Sequence, residues 1–159
     1  MKTNHLLLSA LAALTLVARA NALTLYGSTA AGGPGELYIL DPATGGVVQD
    51  IGPLNDSSGT NYGITGLAFH PTTRVLYGST ANNDVNTRRK LVIINTNTAS
   101  VTVVGSFNAG TGLTMADIAF DSAGNLWGIS SGGGARLFSI NISTGAATLI
   151  GSSGVTFTE

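Results

Sequence analysis

The chain has 159 residues, 43% of them hydrophobic and only 9% charged, with 22 Gly, no Cys and a formal net charge of −1. Low charge with abundant Gly fits an all-β domain rich in tight turns and excludes a disordered chain, which needs low hydrophobicity and high net charge. The near-neutral balance leaves no whole-chain electrostatic footprint for nucleic acid or anionic lipid, and the lack of Cys excludes disulfides and thiolate metal sites.

Residues 1–22, MKTNHLLLSALAALTLVARANA, read as a secretory signal peptide. Lys2 supplies the positive start, Leu6–Val17 the apolar run, and Ala18-Arg19-Ala20 and Ala20-Asn21-Ala22 the small-x-small cleavage sites. The apolar run falls short of the roughly 20 residues that a spanning helix needs. Cleavage after Ala22 removes Lys2 and Arg19, leaving a mildly acidic exported segment, 23–159, with no membrane span.

That segment falls into repeating units of approximately 23–52, 64–105 and 115–151. Tyr26-Gly27, Tyr77-Gly78 and Trp127-Gly128 share one register, as do Phe69 and Phe120, and LYILD, LVIIN and LFSIN. The units close on Ile51-Gly52, Val104-Gly105 and Ile150-Gly151. Each full unit holds four short apolar runs, A to D; the first unit lacks run A. A four-strand unit recurring about every fifty residues is the mark of β-propeller blades. The fold predicted is therefore all-β, a partial β-propeller of about three four-stranded antiparallel blades.

In run A, Leu67 and Phe69, or Ile118 and Phe120, alternate with small residues, a pattern that lets stacked sheets interdigitate. Phe120 and Trp127 are accordingly expected between blades. The Gly after each run-B aromatic predicts close approach of something bulky, expected to be an aromatic of the neighbouring sheet. HPTTR (70–74) and DSAGN (121–125) join A to B, whereas DPATGG, NTNTAS and NISTGA join C to D, with Asp41, Asn95 and Asn141 placed for Asx turns. The B–C and D–A connections vary in length and emerge on one rim. Variable loops on a rigid scaffold usually carry function, so that rim is the predicted binding face.

FDSAGNLWGIS and AFHPTTRVLYGST resemble blades of NHL-type and streptogramin-lyase-like propellers, and LYILDPATGGVVQDIG resembles blades of exported bacterial repeat propellers. The resemblance covers Leu23–Gly151 and implies a propeller fold. It also implies that lyase members hold a divalent metal with histidines on the open face. The one His of the exported segment, His70, sits instead in an A–B turn on the opposite rim. Closed propellers hold at least about four blades, so the segment reads as part of a longer propeller, with a ring completed by self-association through open blade edges as the alternative.

Asp117 opens a run A where the preceding unit has Gly66, and is expected near the mouth of the central channel, where a carboxylate suits a cation or a hydroxyl ligand. Asn82, Asn83 and Asp84 crowd one B–C connection without the Gly and Glu of a calcium loop. Arg88 heads a short basic run and Tyr62 closes a D–A connection. These six residues are the candidate binding set; no catalytic residue, metal ligand or cofactor is predicted. Gly128-Ile129-Ser130-Ser131-Gly132 matches the Gly-x-Ser-x-Gly pattern, but it lacks both the strand-to-helix turn and a downstream His.

The sequence thus predicts an exported, non-enzymatic propeller module binding a protein, peptide or glycan. A metal-assisted lyase or hydrolase of the streptogramin-lyase-like type is the alternative.

Overall fold

The computed structural model describes residues 24–30, 34–82, 85–110, 112–131 and 134–154; the predicted signal peptide, Asn83 and Asp84 lie outside them. The described residues form three antiparallel sheets of eleven strands. The first holds β1 (Leu25–Ser28), β2 (Glu36–Leu40) and β3 (Val47–Pro53). The second runs in order through β4 (Ile64–Phe69), β5 (Leu76–Thr80), β6 (Lys90–Ile94) and β7 (Val101–Ser106). The third repeats this with β8 (Thr114–Phe120), β9 (Leu126–Ser131), β10 (Arg136–Ile140) and β11 (Ala147–Ser152). Runs A to D of the sequence are these strands, and no strand among the described residues fills the place of run A in the first sheet.

The repeat extends to the irregularities. In every sheet the outer strand bulges one residue before its closing Gly, at Ile51, Val104 and Ile150. Both innermost strands bulge near their start, at Thr65 and Ala116. A bulge increases local twist and re-aims side chains, so the second and third sheets twist at the same two points, while the first shares the outer one and adds a bulge at Val48.

Turn chemistry follows the sequence. Asp41, Asn95 and Asn141 each accept, through Oδ1, the backbone N–H two residues on. In each turn the residue four places on, Gly45, Ala99 or Gly145, adopts positive φ and donates its N–H back to the first carbonyl. In the A–B turns Asp121 takes the N–H groups of Ala123 and Asn125, while His70 takes those of Thr72 and Thr73 through Nδ1.

Two apolar cores occupy the two gaps between sheets. One gathers Leu37, Leu54, Tyr62, Ile64, Leu76, Val92, Ile94 and Val101; the other gathers Leu91, Phe107, Met115, Ile118, Leu126, Phe138 and Ile140. Full burial of each such side chain stabilises by about 1.5–3 kcal/mol. Edge-to-face rings bridge both gaps at one register, Tyr26 on Phe69 at 5.5 Å and Tyr77 on Phe120 at 5.3 Å. His70 also lies against Phe120, at 5.0 Å.

Two expectations change. The run-B glycines face aliphatic side chains of their own sheet, not a neighbouring aromatic: a Cβ on Gly27 would meet Leu40 Cδ1 at 2.8 Å, one on Gly78 would meet Ile94 Cδ1 at 2.9 Å, and one on Gly128 would meet Ile140 Cδ1 at 2.8 Å. Each is a diagonal cross-strand neighbour folded over the Gly. Phe120 does sit between sheets, but Trp127 lines the uncovered face of the third sheet.

Candidate functional site

The variable rim is built by pairing each D–A connection with the B–C connection of the same sheet. Leu54, Phe107 and Ser153 occupy one register there and donate their N–H groups to the carbonyls of Gly35, Arg89 and Ala135 at 2.8, 2.9 and 2.9 Å. Leu54 and Phe107 then bury their side chains in the gaps between sheets.

The connection 53–63 is the most elaborately bonded part of this rim. Asp56 Oδ1 accepts from Ser58 N, Ser58 Oγ and Thr60 N at 2.9, 2.6 and 3.0 Å, and its Oδ2 accepts from the Tyr62 hydroxyl at 2.8 Å. Asn61 accepts from Gly35 N at 2.5 Å and donates Nδ2 to Gly35 O and Asn55 Oδ1 at 3.0 and 2.8 Å. These donors, Ser58 first and Tyr62 next, hold the Asp56 carboxyl down at about 2. Burial, followed by the bond to Asp56, pushes the Tyr62 phenol up to about 12.

The candidate residues divide accordingly. Tyr62 is buried, with its ring in the first core and its hydroxyl on Asp56, so it braces the rim from behind. Asn82 is exposed and Arg88 half-buried, flanking the second B–C connection. Asp117 stands apart on the innermost strand of the third sheet, exposed, with Oδ1 accepting from Ile118 N at 2.8 Å. It borders a cavity of about 140 Å³ lined with Ala119, Trp127, Ile129 and Leu137. Ser130 lies within β9, its Oγ buried without a hydrogen-bond partner.

Sequence reasoning did not single out Asp56 and Asn61, whose side chains shape the rim. Their signal was the density of turn formers in NDSSGTN (55–61), which marks a turn without saying which oxygen holds it. Larger hollows, about 740 and 410 Å³, lie on the opposite rim, between A–B and C–D turns of the third and second sheets. Their linings correspond closely, Gly124, Asn141 and Thr148 matching Arg74, Asn95 and Thr102, with Trp127 added in the third sheet. A hollow that recurs in both four-stranded sheets is a product of the repeat and marks no specialised site. Among the described residues no three His, Cys, Asp or Glu gather as metal ligands.

No protein-family model matches the chain, and no curated protein matches it. Among solved structures it is similar to a gluconolactonase from Xanthomonas campestris, with 20% identity, a TM-score of 0.50, and coverage of 79% of this chain and 37% of that one. It is also similar to a calcium-binding protein, regucalcin, from Agrobacterium tumefaciens (16% identity, TM-score 0.47, coverage 75% and 37%). A protein of unknown function from Bacteroides caccae matches at 15% identity and TM-score 0.46, with coverage of 79% and 38%. The chain spans under two-fifths of the length of each of these proteins. At 20% identity the likeness to the gluconolactonase speaks to fold alone, and with the stacked sheets it gives one conclusion: the chain is an all-β protein whose three described sheets form part of a β-propeller.

Proposed function

We propose that the chain is an exported, non-enzymatic propeller module that binds its ligand on the rim formed by the B–C and D–A connections. The observation that carries this reading is the bracing of connection 53–63 by Asp56, Asn61 and Tyr62. A loop fixed by its own hydrogen bonds presents neighbouring side chains without an ordering cost on binding. The side chains it presents, with Asn82, are mostly neutral donors and acceptors, which suit a polyhydroxylated glycan better than a charged polymer. Arg88 adds one cation beside them.

The test uses protein recovered from the extracytoplasmic fraction of expressing cells. Mass spectrometry should give an N-terminus at Leu23 or Asn21. The same sample, applied to an array of neutral oligosaccharides, should bind a subset, and Asn82→Ala with Arg88→Ala should weaken that binding at least tenfold with the circular dichroism unchanged. Intact Met1 in the cytosol removes the export reading. Metal-dependent turnover of gluconolactone or of a streptogramin, with no glycan bound, replaces the binding reading by the enzymatic one.

A further inference from the structure

Register comparison across the sheets shows what each outer face of the stack fits. Leu76 and Leu126 occupy one position in run B and are 2% and 1% exposed beneath the preceding sheet, whereas Leu25, at that position in the first sheet, is 41% exposed. Leu37 and Leu91 occupy one position in run C and are both 0% exposed beneath the following sheet, whereas Leu137, their counterpart in the third sheet, is 40% exposed. The front of β1–β3 and the back of β8–β11 therefore each keep one half of the joint used twice inside the chain.

The back face is nevertheless altered against a further sheet of four strands. At the internal joint the innermost strands meet at Gly66, where a Cβ would lie 2.6 Å from Asp117 Oδ1 and 2.8 Å from Asp117 Cα and Ile118 N. The third sheet carries Asp117 in the register of Gly66, so a following innermost strand seated in the same way would collide with that side chain. Thr65, which donates Oγ1 to Met115 O across the joint at 2.7 Å, is replaced in register by Ala116. The buried plug of Leu54 and Phe107 is replaced by exposed Ser153. All three changes lie where an innermost strand or its entry loop would pack.

The front sheet is the one surface on the molecule that offers the leucine half of the joint with no innermost strand among the described residues. We propose that the back of β8–β11 in one copy receives the front of β1–β3 in a second copy, head to tail. Asp117 then borders the vacant innermost place, where water reaches its carboxylate. Trp127 stands in the register of Tyr26 and Tyr77 and fills, with its larger ring, the room of a run-A Phe, which no described residue of the first sheet supplies. Two copies bring six sheets, three from each, within the roughly four to eight blades of closed propellers. A heterologous joint made twice closes as a symmetric ring. This goes beyond the ligand-binding reading and stands independently of it.

Leu25→Glu and Leu137→Glu test the joint, since both side chains are exposed in the single copy and a charge there stays hydrated. Analytical ultracentrifugation at micromolar concentration should give the mass of two chains for the unaltered protein. Each variant by itself should give the mass of one chain with an unchanged circular dichroism spectrum. An equimolar mixture of the two variants should regain the mass of two chains, through the one joint still intact. A single-chain mass for the unaltered protein, a dimer from either variant by itself, or no association in the mixture each overturns the proposal.

Discussion

At the scale of single residues, one tight constraint lies where Gly105, closing the second sheet, meets the C–D turn of the third. A Cβ at Gly105 would fall on the Thr144 carbonyl, and Gly145 turns back against the Gly105 backbone with φ of 77°. Both partners are backbone, so no side chain can swing aside. Overpacking of this kind costs roughly 1–3 kcal/mol or more, and we expect Gly105→Ala to lower unfolding stability by about 3 kcal/mol in urea melts. Gly46→Ala is the control: φ is not positive there, the nearest atom to a new Cβ is Thr44 Oγ1 at 3.4 Å, and the change should be within about 1 kcal/mol of neutral. A similar loss from both variants would mean that backbone entropy, not the close approach, governs these positions. None of this distinction is visible in the sequence, where Gly46 stands just before one strand D and Gly105 closes another.

At the scale of elements, the connection 53–63 links pH to stability. The Asp56 carboxyl is held at about 2 in the fold, against an unfolded value near 3.8. Its contribution is therefore fully present above the unfolded value and lost as pH falls from about 4 to about 2. The Tyr62 phenol, raised to about 12, works in the other direction: its contribution is complete below about 10 and is lost as pH rises towards 12. Urea midpoints should accordingly fall more steeply between pH 4 and pH 2 for the unaltered protein than for Asp56→Asn; parallel curves would show that this carboxylate does not carry the acid sensitivity. Elements are also where the sequence is most legible. Asp41, Asn95 and Asn141 mark their turns because an Asx turn is local, written in the side chain that closes it and the residues just after. Gly27, Gly78 and Gly128 mark close contacts but leave the partner open. Two surfaces approach a strand, its own sheet and the next, and only the diagonal register that sets Leu40, Ile94 and Ile140 over them decides between the two. Tyr62 entered the candidate set because it closes a variable D–A connection. Its ring direction depends on β4 and the first core, which are long-range facts.

At the scale of the molecule, stability is distributed like that of a short stack whose units contact only their neighbours. The middle sheet is covered on both faces, and all of β5 from Leu76 to Thr80 is buried. The outer strands β3 and β11 are mostly exposed. Native-state hydrogen exchange should show the slowest amides in β5 and β6, with β3 and β11 exchanging by smaller openings. Uniform protection across all three sheets would show that the stack opens as a single unit. The number and order of the sheets could be read from the sequence because each unit repeats its own strands and turns. What covers the outermost faces could not, since that depends on comparing the exposure of Leu25 and Leu137 with that of their buried counterparts.

The Gly66–Asp117 difference also bears on how such a chain can lengthen. A duplicated 64–105 segment brings its own Gly66, so the innermost strand of a second identical unit can lie against the first at the spacing seen here. A duplicated 115–151 segment brings Asp117 to the same contact and cannot follow itself unless that residue changes first. Growth by tandem duplication is thus directional: new units enter ahead of the third sheet, and the segment carrying Asp117 is carried along behind them.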